Sequence, residues 1–156
     1  MIKYVNISDQ NMKDLLYLKD EQIKDCIQLL LYAYRETFSD PKEVLSKKFF
    51  GPAHLRALNL IERNPGINLG ELIFQLKVTK QSLNRVLKDL VKLDMIIFKR
   101  DEQDTRIKHI FLNEKGRKIF NEIFETQKKR IYNALLGSSS EEVINFDNVL
   151  KKIING

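Results

Sequence analysis

Between Val78 and Leu93, the chain sets Thr79, Lys80, Gln81, Ser82, Asn84, Arg85 and Lys88 against an apolar series of Leu83, Val86, Leu87 and Leu90. The apolar residues recur at steps of three and four, which puts them on one buried face of a helix. The other face carries cations and amides, with no acidic residue before Asp89. A solvated helix gains pairs three or four residues apart by mixing both signs, and this one does not. Gln81, Ser82, Asn84 and Arg85 can match the donors and acceptors on base edges. Lys80 and Lys88, as flexible point charges, suit phosphates. A lysine-rich solvated face is the competing explanation for this stretch alone.

The distribution of charge weighs against that competitor. The chain of 156 residues carries a net charge of +6. Twelve Lys and Arg stand against six Asp and Glu between Lys77 and Lys118, so the whole excess lies there. A confined excess is the electrostatic footprint of a polyanion-binding face, whereas a solubility device would be spread more evenly.

Other chemistry finds little support. His54 and His109 lie far apart, and no Ser or Cys sits in an activating motif. The chain has no phosphate-binding glycine loop ending in Gly-Lys-Ser/Thr, no His-Glu-x-x-His and no cysteine pair at metal-ligand spacing. An enzyme, a metal site and a bound cofactor are therefore not expected. His109 reads as a strand residue and His54 as a structural residue opening a helix. The single cysteine, Cys26, excludes an intramolecular disulfide and fits a reducing cytoplasm. No run reaches the roughly 18 apolar residues needed to span a bilayer, and the first residues lack a signal-peptide core. A cytoplasmic location is the expectation.

The elements that must hold these side chains follow from periodicity and capping. A long amphipathic helix is predicted from about Asp20 to Glu36, with Ile23, Ile27, Leu30, Leu31 and Tyr34 on its stripe. A shorter helix around Met12 to Leu18 precedes it or is continuous with it. Ser39-Asp-Pro41 and Phe49-Phe-Gly-Pro52 are breaks. Pro52 opens a helix to about Arg63 that buries Leu55, Leu58, Leu60 and Ile61 and ends at Asn64-Pro-Gly66. Asn68 with Glu71 forms a capping box for a short helix through Leu76, and Thr79 caps the next. Met95–Lys99 and Arg106–Leu112 then read as two strands joined by a polar tip, with Ile107, Ile110 and Leu112 inward. Asn113 caps a long helix with Ile119, Phe120, Ile123, Phe124, Ile131 and Leu135 on one stripe. Gly137 stops it, and Ser138–Glu142 opens a last helix through Ile154. Three short helices followed by a hairpin describe a winged helix-turn-helix, and the polar-faced helix stands in the recognition position. The fold class is mainly α with a small β-hairpin wing.

The wing and the turn after it resemble the MarR family of bacterial transcription regulators, over roughly residues 20 to 154. The carrying residues are Arg100, Asp104-Thr-Arg106 and Leu112-Asn-Glu-Lys-Gly116. Asn113 stands where the family usually has Thr, an exchange of one N-cap for another. The stretches Phe50–Arg56, Asn64–Gly66 and Thr79–Leu83 look like an alphaproteobacterial branch. The resemblance implies one domain over 1–156, with a winged helix-turn-helix at about 52–112 and dimerisation helices at about 10–38 and 114–154. It implies a homodimer bound to double-stranded DNA, more as repressor than activator. Arg106 would enter the minor groove and Asp104 would brace the wing.

The resemblance also implies two inputs. One is a small-molecule effector, for which Tyr32, Tyr34, Phe49, Phe50, His54 and Arg56 could line a cleft, although aromatics at helical spacing are more often core. The other is oxidation of Cys26, which competes with its packing as a small hydrophobe. A winged helix that contacts a protein partner remains the rival function, and the salt dependence of DNA affinity separates the two.

Overall fold

The computed structural model describes residues 15–41, 43, 46 and 51–156. Part of the helix predicted around Met12, together with Phe49 and Phe50, lies outside the described residues. The chain divides into two compact units, one ending at Ser39 and the other running from Asp40 to Gly156.

The described residues of the first unit form a 3₁₀ turn, Leu16–Leu18, and helix α1, Asp20–Ser39. Asp20 and Glu21 lie in the first turn of α1, where carboxylates oppose the positive end of the helix dipole. No residue of α1 is buried within the single chain. Its apolar stripe is open to solvent, including Ile27 at 63% and Leu31 at 60% exposure.

The second unit contains α2 (Pro52–Arg63), β1 (Ile67–Asn68), α3 (Leu69–Leu76), α4 (Lys80–Lys92), β2 (Ile96–Arg100), β3 (Lys108–Leu112), α5 (Glu114–Leu136) and α6 (Ser140–Asn155). Among the described residues of the chain, six helices thus accompany one small antiparallel sheet. Each helix start has a local cause. Pro52 occupies the first turn of α2. Asn68 and Glu71 bond reciprocally at the start of α3, and the Ser82 amide donates to Thr79 Oγ1 at 3.1 Å. Ser139 and Glu142 make the corresponding box for α6. Lys77 closes α3 in the left-handed region, with φ 51°.

The core gathers Leu55, Leu58 and Ile61 of α2, Leu72 of α3, and Leu83, Val86, Leu87 and Leu90 of α4. Met95, Ile110, Leu112, Ile119, Phe120 and Ile123 complete it. Each such side chain contributes roughly 1.5–3 kcal/mol by leaving water, which is what fixes the orientation of α4.

The sheet differs from a plain hairpin. β3 is central, paired with β2 on one side and with the two-residue β1 on the other, Ile67 opposite Ile110 and Asn68 opposite His109. Two residues are too few for alternation to reveal a strand. They pair because the extended approach to the Asn68 cap runs alongside β3. The expectation that Ile107 points inward is also corrected. Ile107 is 39% exposed and precedes β3, and it has the opposite parity to the buried Ile110 and Leu112. The predicted stripe of α5 divides as well. Ile119, Phe120 and Ile123 are core, whereas Phe124, Ile131 and Leu135 are exposed.

Candidate nucleic-acid interface

Because Leu83, Val86, Leu87 and Leu90 anchor one face of α4, the opposite face is presented outward. Thr79, Lys80, Gln81, Ser82, Arg85 and Lys88 are exposed, and Asn84 is half-buried. Arg100 ends β2 and is exposed. Beyond it, the loop from Asp101 to Ile107 forms the wing tip. It is closed by the Asp101 amide donating to Ile107 O at 3.0 Å and the Ile107 amide donating to Asp104 O at 2.9 Å.

Within this loop, Asp104 holds Arg106 three times. The Arg106 amide and Nε donate to Oδ1 at 3.0 and 2.9 Å, and Nη2 donates to Oδ2 at 2.9 Å. Such a forked pair fixes the guanidinium plane as well as its charge. The Arg106 guanidinium bonded to Asp104 holds that carboxyl below the usual carboxylate range. The Arg106 side chain is itself 89% exposed, so the fork orients it without hiding it.

A cleft of about 710 Å³ separates α4 from the wing. Asn84, Lys88 and Arg106 meet there, over an apolar floor that includes Leu87, Phe98 and Ile107. Lys92 and Lys108 line the same cleft, although the helical face and the wing motif were assigned without them. The spacing of four from Lys88 to Lys92 carried the signal for one. The pairing of Lys108 with Arg100 across the hairpin carries it for the other.

The remaining described candidate residues are divided between the two units. Tyr32 and Tyr34 are exposed on α1, with the Arg35 guanidinium 4.9 Å from the Tyr32 ring centre. His54 is half-buried on α2. Its Nδ1 accepts from the Gly51 amide at 3.1 Å, and its Nε2 lies 3.2 Å from Asp89 Oδ2 on α4. Arg56 lines a cavity of only about 30 Å³ beside Val78 and Ser82, far below the roughly 300 Å³ of a small-molecule pocket. Cys26 is exposed on α1, so packing as a buried hydrophobe within one chain is corrected. Among the described residues, no group of His, Cys, Asp and Glu is placed to hold a metal, and no helix is long and apolar enough to cross a membrane.

Residues 50–107 match the sequence pattern of the MarR family. The chain is 37% identical over 141 residues to the HTH-type transcriptional regulator PetP of Rhodobacter capsulatus, covering 90% of this chain and 85% of that one. Its fold is similar to that of a MarR-family transcriptional regulator from Silicibacter pomeroyi, at a TM-score of 0.73 and 18% identity over 90% of this chain and 93% of that one. It is also similar to Streptococcus pneumoniae FabT, solved in complex with DNA, at 0.68 and 19% over 88% and 96%. With a mainly helical fold, a three-stranded wing sheet and a curated relative matched over most of both lengths, the chain belongs to the MarR family of transcriptional regulators.

Proposed function

We propose that the protein is a homodimeric repressor that reads an inverted repeat in double-stranded DNA, with α4 in the major groove and the wing in the minor groove. The observation that carries this is a cleft in which Asn84, Lys88 and Lys92 of α4 meet the forked Arg106 and Lys108 of the wing, beside the exposed face of α4. Arg85, Gln81 and Asn84 have the chemistry to read base edges. Lys80, Lys88, Lys92 and Arg100 suit the flanking phosphates. Arg106 suits a narrow minor groove, whose negative potential is enhanced.

Pairing of two chains is supported by the apolar surface left open outside the winged helix. Besides the α1 stripe, Ile131, Leu135 and Leu136 of α5 and Ile144, Phe146, Val149, Ile153 and Ile154 of α6 are all exposed. Apolar stripes of this size on helices outside the winged helix mark interaction surfaces, and a two-fold pair of identical faces would cover them. Two recognition helices related in this way meet DNA about one turn, roughly 34 Å, apart. Bound across a promoter, such a dimer represses by occupancy. A phenolic or apolar effector and oxidation of Cys26 remain the inputs drawn from the family resemblance alone.

Selection of duplexes from a random pool, followed by a salt titration, tests this function. An inverted repeat with half-site centres about 10 bp apart and a steep loss of affinity with salt are expected. A salt-independent affinity would favour a protein partner for the same face. Protection of one half-site by a sedimenting monomer would remove the dimer.

A further inference from the structure

The Arg106 fork does not stand alone. Asp101 Oδ1 accepts the amides of Gln103 and Asp104, both at 2.9 Å, which shapes the loop that presents Asp104. Asp101 Oδ2 lies 2.9 Å from His109 Nε2. The other ring nitrogen of His109, Nδ1, lies 2.7 Å from the Gly66 carbonyl oxygen. Gly66 itself takes φ 89°, a conformation that leaves its carbonyl directed at β3 at the turn before β1. The imidazole therefore ties the wing tip to the body of the sheet.

Both partners of that ring are pure acceptors. A neutral imidazole has one N–H and one lone pair, so either neutral tautomer sets a lone pair against an oxygen. Only the imidazolium donates at both contacts. The acidic groups around it favour that cation, and one lysine opposes it. Asp101 faces it from the wing, Glu71 from α3 adds negative charge, and Lys99 stands opposite on β2, where its ammonium lies 5.1 Å from the Phe111 ring centre. Asn68 is the partner on β1. Helices α2 and α5 also contact β3, whose buried residues on the opposite face are Ile110 and Leu112.

On the DNA-binding function proposed above, we propose that Asp101 and protonated His109 are positioning residues for Arg106, so that DNA affinity is tuned by pH through the wing. The path runs from Gly66 through His109 to Asp101, from Asp101 through the loop amides to Asp104, and from Asp104 to the guanidinium. The His109 hydrogen bonds to Asp101, then Gly66, raise its pKa above the ordinary value of 6.5, and those to His109 and the loop amides bring Asp101 down to about 2. With the folded pKa raised, the contribution is complete below about pH 6.5 and is lost as pH rises through the folded value. Loss of one proton leaves a single N–H, so either the bond to Asp101 or the bond to Gly66 is broken. The tie between wing tip and sheet is then cut at one end, and the loop holds Asp104 less firmly. Arg106 then has to be ordered at the moment of binding.

The test uses the full-length protein and the strongest duplex that it recovers from a random pool, with anisotropy titrations at constant ionic strength from pH 6 to 9. Wild-type affinity is expected to fall about fivefold over that range, reflecting a higher His109 pKa in the complex than in the free protein. His109→Gln should bind at pH 6 as weakly as wild type does at pH 9, with that part of the pH slope gone. Arg106→Ala should bind weakly and also lose the slope, because the pair acts through Arg106. The ring of His109, followed by NMR in the free wild-type protein, should titrate above 6.5, and Asp101→Asn should lower that value. A wild-type pH slope retained in His109→Gln overturns the proposal. So does a slope retained in Arg106→Ala, which would mean that the imidazolium acts as a bare charge near the phosphates. A His109 ring that titrates at or below its ordinary value overturns it without recourse to DNA. A wild-type protein that retains no duplex at any pH removes the DNA-binding function and this role with it.

Discussion

Gly116→Ala should destabilise the protein, although the same change in a helix normally does the opposite. Gly116 is buried in the first turn of α5, and a Cβ there would stand 2.1 Å from the carbonyl oxygen of Met95. That oxygen accepts the Asn113 amide at 3.0 Å, while Asn113 Nδ2 donates to Asp94 O at 2.9 Å and Asn113 Oδ1 accepts from Gly116 N at 2.8 Å. The obstacle is backbone held on several sides, so α5 must withdraw from the start of β2. Overpacking of this kind costs about 1–3 kcal/mol, and losing the Asn113–Met95 hydrogen bond adds about 1 kcal/mol. The helical preference of Ala over Gly returns about 1 kcal/mol. The net expectation is a loss of about 1–3 kcal/mol, measured by urea unfolding at one fixed protein concentration. With a slope of about 1–3 kcal/mol per molar urea, the midpoint should fall by about 1 M. Lys115→Ala, on the exposed side of the same turn, should change little. An unchanged or raised midpoint for Gly116→Ala would refute the packing argument and leave the glycine in Leu112–Gly116 without a structural reason.

Arg85→Ala should relax base preference in selections from random DNA, whereas Lys88→Ala should weaken all sequences alike and reduce the salt slope by about one; an unchanged logo for Arg85→Ala would take it out of base readout. Ile123→Glu should unfold the chain, because Ile123 is 0% exposed, whereas Phe124→Glu, at a half-open position, should leave a folded monomer by sedimentation; a Phe124→Glu dimer would take that residue out of the pairing surface. Lys77→Gly should raise stability by about 0.5–1 kcal/mol, since the left-handed backbone at that residue suits glycine; a lower unfolding midpoint would refute the strain at that cap.

The helices were legible because they announce themselves locally. Thr79, Asn68, Asn113 and Ser139 each accept the amide three residues on, and the apolar steps of α4 match what is buried. On α2 Leu55, Leu58 and Ile61 are buried as expected, whereas Leu60 is half-buried and Ala57 takes the place on the inner face. The wing hairpin was legible from its β-rich arms and polar tip. What escaped notice depends on pairings distant in sequence. β1 exists only because Ile67 and Asn68 meet His109 and Ile110, more than forty positions away. The role of His109 depends on Gly66 and Asp101 converging on one ring, which no spacing rule encodes. The α5 stripe looks like one surface in the sequence because periodicity reports which residues share a face, not which part of that face finds cover within its own chain.

The order β1-β3-β2 leaves β2 with no strand on its outer side among the described residues. An open edge of unpaired amides and carbonyls is a template on which another chain can add. Ile97 and Phe98 on this strand are 40% and 43% exposed, which would favour such an addition. Lys99 and Arg100 stand directly after them, and charged residues on an edge strand oppose the approach of a second strand. The cations at the wing therefore act against self-association as well as toward phosphates. Replacing both with neutral residues should leave a protein that precipitates more readily, before any change in DNA affinity is considered.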